Sequence, residues 1–288
     1  MISGRLLPRS GPRQARTAIV SVFVLGALLA GCTGGSTESE KPEPTPTATA
    51  KPTPAVAPDP PRAGRCYDLT YAEGLAPTVD ASSVPCATSH TSQTFRVAEL
   101  ESVLDGHLVA VDSERARAQA AQACPQALPA YLGASPATLR LSMIRAVWFG
   151  PTVAESDAGH NWYRCDAVVL AGKEKLQPTK QSLRGVLATQ AGRSRYGLCS
   201  TGKPGSSSFS RVVCSAKHSW RAIGTRTVKS TKSDAWPGER AARAGESSCK
   251  SSARARAEDK LKFSWGYEWP TKEQWEQGIQ HGTCWIPD

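Results

Sequence analysis

Apolar and polar positions divide this chain into distinct regimes. Thr17 to Ala30 is an almost unbroken apolar run, and from Thr33 to about Arg62 the chain turns to Ser, Thr, Glu, Lys, Ala and Pro. Beyond Gly64, short apolar and β-branched segments stand between polar stretches: Val84 and Thr94 to Val97, then Arg211 to Val213 and Trp220 to Ile223. Segments of that kind read as paired strands. Asp112 or Ser113 can cap a helix from Glu114 to Cys124, an Ala, Arg and Gln-rich stretch that Pro125 then ends or kinks. A second helix is expected after Trp236-Pro237-Gly238-Glu239, through about Lys260, with Pro237 suited to its first position. Strands follow each helix. The predicted fold class is α+β: two tandem small disulfide-stapled units, each a small antiparallel sheet with one main helix, after a disordered N-terminal stalk.

The first apolar run has a positively charged approach, Arg5, Arg9, Arg13 and Arg16 with no acid. That is a signal peptide pattern. The run is about 14 residues long, whereas roughly 20 are needed to span a bilayer as a helix. Leu29-Ala30-Gly31-Cys32 then matches a lipobox, at which diacylglycerol is attached to the cysteine thiol and the chain is cleaved just before it. Two acyl chains hold a protein on a membrane durably where one does not. The expectation is a lipoprotein anchored through Cys32 to the extracytoplasmic face of the cell membrane. The Pro- and Thr-rich segment that follows cannot bury enough apolar surface to fold. Its prolines favour an extended form of about 3.1 Å per residue, so roughly 30 residues reach up to about 90 Å from the membrane.

The remainder, Gly64 to Asp288, is long enough for one large or two small domains. Apart from Cys32 it carries Cys66, Cys86, Cys124, Cys165, Cys199, Cys214, Cys249 and Cys284. An even number in an exported chain reads as a disulfide framework. The eight fall into two sets of four with repeated surroundings. Val84-Pro-Cys86-Ala-Thr-Ser-His90 is answered by Val212-Val-Cys214-Ser-Ala-Lys-His218. Trp148, Pro151, Gly159 and Cys165 have the spacing of Tyr267, Pro270, Gly278 and Cys284. Repetition at fixed spacing is the mark of a tandem unit. The expected organisation is a lipoprotein signal peptide (1–31), lipidated cysteine and stalk (32–62), first unit (63–170), linker (171–192) and second unit (193–288). Sequence leaves the connectivity open; first with second and third with fourth in each set is the pairing expected.

Gly64-Arg-Cys66, the Val-Pro-Cys-x-x-x-His segment, the helical Cys124 and the close on Pro151, Gly159 and Cys165 together resemble the septum formation domain of actinobacterial membrane proteins and lipoproteins. The resemblance covers most of Gly64 to Asp166 and, more loosely, Tyr196 to Trp285. There Val213 replaces the proline before the cysteine and the path from Cys249 to Pro270 is shorter. It implies two tandem copies and a link to the cell envelope or the division septum, and it brings no catalytic residue with it.

Candidate chemistry is sparse. His90 and His218, each four residues after a cysteine, could supply zinc ligands or report pH. If the cysteines are oxidised, the histidines instead bond backbone beside the bridge. No serine stands in a convincing nucleophile motif, and Glu155 with Asp157 lies in a polar loop. Neither a cofactor nor an enzyme is expected. Phe263, Trp265, Tyr267 and Trp269 alternate with small or polar residues, which places four rings on one face of a strand. That face is either the core of the second unit or an exposed stacking platform on which Trp265, Tyr267 and Trp269 bind sugars or a partner. Charge separates the halves: seven Lys or Arg against eleven Asp or Glu from Gly64 to Leu170, but seventeen against nine from Arg193 to Asp288. Clusters such as Arg221, Arg226, Lys229 and Lys232 would be drawn to wall polyanions or acidic lipid head groups. Nucleic acid is not an expected partner, because an exported chain does not meet it and no reader motif is present. The expected function is a non-catalytic envelope or septum-associated binding module whose partners are the membrane, envelope or division proteins, or an anionic wall polymer. A metal-binding or pH-sensing module is the alternative, and an envelope hydrolase the third.

Overall fold

The computed structural model describes residues 59–230 and 235–288. The signal run, Cys32, most of the stalk and Lys232 lie outside the described residues. In the first half, strands β1 (Cys66–Tyr67), β2 (Ser92–Glu99), β3 (Ile144–Phe149) and β4 (Trp162–Gly172) form an antiparallel sheet in the order β1-β2-β4-β3. Helix α1 (Glu114–Leu132) crosses it, capped by the Ser113 hydroxyl, which accepts from the Ala116 amide at 3.2 Å. Ala116, Ala120, Cys124, Leu128 and Leu132 are its buried residues, one turn apart on a single face.

Of the two expectations at Pro125, an end or a kink, the end is not found: the helix runs through Pro125 and Pro129 to Leu132 and ends at Gly133, whose φ of 65° suits glycine. The two internal prolines, at about 3 kcal/mol each, cost about 6 kcal/mol. Two fully buried leucines at about 1.5–3 kcal/mol each, with the Cys124–Cys165 bridge behind them, offset that cost.

The second half repeats the plan. Strands β5 (Leu198–Ser200), β6 (Arg211–Val213), β7 (Trp220–Thr227), β8 (Gly266–Glu268) and β9 (His281–Pro287) form a sheet in the order β8-β9-β7-β5-β6. Without β6, that order is the first sheet's with β5, β7, β8 and β9 in the places of β1, β2, β3 and β4. Even the irregularities correspond: β2 bulges between Thr94 and Arg96 opposite Cys165, and β7 between Ala222 and Gly224 opposite Cys284. The shared Pro-to-Cys spacing has a local cause. Each proline precedes a one-turn helix, α2 (Val153–Asp157) or, late in the second half, Lys272–Glu276. Each of these starts with a capping box, Thr152 with Glu155 or Thr271 with Gln274. A glycine of positive φ, Gly159 at 95° or Gly278 at 83°, then turns the chain into the last strand.

The helix expected to begin at Pro237 and run to about Lys260 is broken, and Pro237 lies ahead of its Gly238 cap. A turn at Glu239–Ala242 passes through a 3-10 turn, Arg243–Gly245, into α3 (Glu246–Arg256). Gly245 sits against the Tyr267 ring, where a Cβ would overlap it, so the backbone is shaped by that packing. The disulfides join Cys66 to Cys86, Cys124 to Cys165, Cys199 to Cys214 and Cys249 to Cys284, with Cα–Cα separations of 5.0–5.4 Å.

The halves share one core. The first-half cluster around Ile144, Phe149 and Val168 continues into Leu198, Val213, Ala222 and Trp285 of the second. Backbone bonds cross between them, from the Met143 amide to the Tyr196 carbonyl and from the Leu198 amide to the Leu141 carbonyl, both 2.8 Å. The segment 171–192 is packed as well: Leu183 and Leu187 are buried, and the Leu183 amide donates to Gln93 Oε1 at 2.9 Å.

Candidate functional site

Trp285, on β9, is fully buried in the core that both halves share. The two edge strands, β6 and β8, come within side-chain reach of each other. Arg211 on β6 pairs with Glu268 on β8 at 2.7 Å. Beside this pair, the edge strand β3 of the first sheet contributes Arg145, an arginine inside the otherwise apolar run Ile144 to Phe149. Its Nη1 donates to the carbonyls of Ser142 at 2.9 Å and Ile144 at 2.7 Å, which fixes the guanidinium in place. Arg140, at the end of the short helix Pro136–Arg140, and His281, at the start of β9, complete the polar wall. Trp148, Trp269 and Pro270 give it an apolar side. Together they enclose a cleft of about 440 Å³, within the usual size range of small-ligand sites.

The electrostatics of this cleft are one-sided. Burial and the neighbouring Arg211 lower the Arg145 pKa to about 10, so the guanidinium is still charged at neutral pH. Burial, followed by the fields of Arg140, Arg211 and Arg145, pulls His281 down to about 4, so the imidazole is neutral there. Three guanidiniums therefore face a single carboxylate. Nε of Arg211 and Oε2 of Glu268 are buried and have no partner among the described residues. A second hollow of about 370 Å³ shares Arg145, Arg211 and Glu268 with the first, and Tyr71 and Phe209 lie along it. Guanidinium groups in fixed positions recognise carboxylate or phosphate oxygens with directional, charge-assisted bonds.

The residues expected from sequence to form the site fare unevenly. Tyr267 is core: it is 6% exposed, Gly245 and Gly282 crowd its ring, and its hydroxyl donates to the Ala242 carbonyl at 3.2 Å. Trp265 packs half-buried on the cluster of Cys249, Tyr267 and Cys284. Only Trp269 reaches the cleft, with the Arg243 guanidinium 4.4 Å from its ring centre. The four rings do not share one strand face, because the strand is only Gly266–Glu268.

His90 and His218 occupy equivalent places, and each Nδ1 lies on the carbonyl two residues earlier, at 2.9 Å to Thr88 and 2.7 Å to Ala216. His90 is fully buried, whereas His218 Nε2 meets the Asp288 carboxylate at 2.7 Å. The hydrogen bond from Arg221, then that from His218, holds Asp288 below the usual carboxylate range. Cys199, His218 and Asp288 bring potential metal-ligand atoms within 4.8 Å of one another. Cys199 is bridged to Cys214, however, and a disulfide sulfur is a poor ligand. Of the basic cluster, Arg221 is engaged with Asp288, and Arg226 with Ser248 and Ser252 on α3. Glu155 is held in its capping box by Thr152.

Arg140, Arg145, Arg211, Glu268 and His281 were not singled out from sequence. The one available signal was an arginine set in an apolar strand, as in Ile144-Arg145-Ala146-Val147 and Arg211-Val212-Val213. Among the described residues no helix is long and apolar enough to cross a membrane.

No curated protein and no solved structure matches this chain. A family described as Septum formation matches residues 63–284, a single match that takes in both sheets, the four bridges and the cleft between them. With that span covering most of its length, the chain belongs to the septum formation family, whose role is related to cell division.

Proposed function

We propose that the chain is a non-catalytic lipoprotein, held on the outer face of the cell membrane through Cys32, that binds an anionic component of the envelope where the cell divides. The cleft is the observation that carries this reading. Three arginines drawn from both halves converge on an apolar-walled cavity with only Glu268 to balance them, and such an excess of one charge favours anions. Glu268 is committed to Arg211, so it is poorly placed to act as one of the paired acids that glycoside hydrolysis requires. The N-terminal sequence supports the anchor: a basic approach, a short apolar run and Leu29-Ala30-Gly31-Cys32. The Pro- and Thr-rich segment behind it supplies reach into the wall space.

The test uses the full chain mixed with purified cell-wall fragments. Retention should be strong at low ionic strength and fall as salt shortens the screening length from about 10 Å at 0.1 M toward about 3 Å at 1 M. The triple variant Arg140→Gln/Arg145→Gln/Arg211→Gln should lose most of it. Salt-independent retention, or retention unchanged in the triple variant, would defeat the reading.

A further inference from the structure

The chemistry of the cleft narrows what it takes. Arg211 and Glu268 spend only one atom each on their mutual bond, Nη2 on Oε1 at 2.7 Å. What remains is a buried donor, Arg211 Nε, and a buried acceptor, Glu268 Oε2, neither with a partner among the described residues. A bare anion can accept from the first but offers nothing to the second, and it is repelled by it. A neutral sugar can donate to the second but leaves the arginines without a counter-charge. A ligand that satisfies both carries an anionic group and, a bond or two away, a hydroxyl.

Room and surfaces agree with a ligand larger than a free ion. The charged trio Arg145, Arg211 and Glu268 lies where two hollows of about 440 and 370 Å³ meet. Trp148 and Trp269 line the first, and Tyr71 and Phe209 the second. Aromatic faces on both sides of a charged neck suit carbon frames that continue in either direction from the anion. Both Arg145 and Arg211 are held before any ligand arrives, one by two backbone carbonyls and the other by Glu268. Preorganised donors of this kind lose little freedom on binding.

We infer that this cleft recognises a hydroxylated anion, a sugar or polyol carrying a phosphate or carboxylate group, with the anion on Arg145 and Arg211 and an adjacent hydroxyl donating to Glu268. The inference rests on the envelope-binding reading above and specifies the unit that is bound.

Calorimetric titration of the full chain at pH 8 tests it with sn-glycerol 3-phosphate and glucuronate as hydroxylated anions, methyl phosphate and acetate as bare anions without a hydroxyl, and glucose as the neutral probe. One or both hydroxylated anions should bind at least about 10-fold more tightly than the bare anion of the same charged group, as one charge-assisted hydrogen bond implies. Glucose should not bind. Whichever hydroxylated probe binds more tightly decides between phosphate and carboxylate.

Arg211→Gln should weaken binding about 10- to 100-fold. Glu268→Leu, which removes the acceptor, should erase the preference for the hydroxylated probe without weakening the bare anion. In the unmodified protein, saturating probe should move the His281 imidazole titration upward, a readout that does not depend on how a variant folds. Equal affinity for hydroxylated and bare anions, or no movement of His281, overturns the inference. Wall retention without probe binding sinks it and leaves the envelope-binding reading standing. Probe binding without wall retention sinks that reading alone.

Discussion

The most exacting test of the fold lies beneath β4. Asp166 is fully buried, and its carboxylate accepts from the Ser92 and Thr94 hydroxyls, each at 2.7 Å, and faces Arg164 Nη2 at 3.2 Å. Arg164 is itself buried, 3.9 Å from the centre of the Tyr67 ring and 4.7 Å from that of Phe149. Asp166→Asn preserves shape but leaves Arg164 charged in the core without a counter-ion, and breaking a buried pair from one side costs about 3–5 kcal/mol. For a domain of this size each kcal/mol is worth about 2–4 °C, so the melting temperature should fall by roughly 6–20 °C. Arg164→Met should cost a similar amount, because it strands the carboxylate and gives up the ring contacts. The double variant Arg164→Met/Asp166→Asn removes both charges and should cost no more than either single change. Urea denaturation followed by tryptophan fluorescence, with all disulfides intact, measures all three. A loss below about 1 kcal/mol for Asp166→Asn, or single effects that simply add in the double variant, would refute the reasoning.

Three further outcomes follow from the same structure. The Cys124–Cys165 bridge spans 41 residues and Cys199–Cys214 spans 15, which the chain-entropy account values at about 4 and about 3 kcal/mol. Removing the first pair as a double alanine variant should therefore lower the urea midpoint more than removing the second, and the reverse order would contradict that account. Gly282→Ala, which places a methyl group against the Tyr267 ring, should lose about 1–3 kcal/mol. Leu261→Ala, at a side chain that is 96% exposed, should stay within about 0.5 kcal/mol, and equal effects would show that the ring is not held as described. His281 should titrate near 4 by NMR. Because its folded value lies below the unfolded one of about 6.5, its contribution to stability is present above that value and is lost as pH falls toward 4. His281→Gln should flatten the stability profile over that window, and an unchanged slope would count against the placement of His281 among the arginines.

What could be read from sequence and what could not separate along a physical line. The cysteine framework, the strands around it and the repeated Pro-to-Cys close were legible because each depends on a few residues near one another in the chain. A capping threonine, a turn glycine and a cysteine mark their positions locally. Pro125 misled because its cost is local, while what outweighs it, Leu128 and Leu132 in the core and Cys124 bridged to β4, belongs to the tertiary fold. The aromatic run misled for a related reason. Alternation placed Trp265, Tyr267 and Trp269 on one face only if the strand was long, and close packing of Gly245 and Gly282 on Tyr267 makes that ring core.

The cleft was the least legible feature, because no local pattern creates it. Arg145, Arg211, Glu268 and His281 come from four different strands in two sheets. They meet because the second sheet coils until its edges bridge and because the Leu141 to Met143 segment pairs with Tyr196 to Leu198. The two halves therefore contribute differently to the cleft. The disulfides, caps and bulges that they share make two similar scaffolds, and the charges that differ between them produce chemistry only where the scaffolds join. Because Arg145 belongs to one sheet and Arg211 to the other, and because the two sheets share the core that runs from Ile144 and Phe149 to Leu198 and Trp285, a change that separates the halves should abolish the proposed anion binding and destabilise both sheets together.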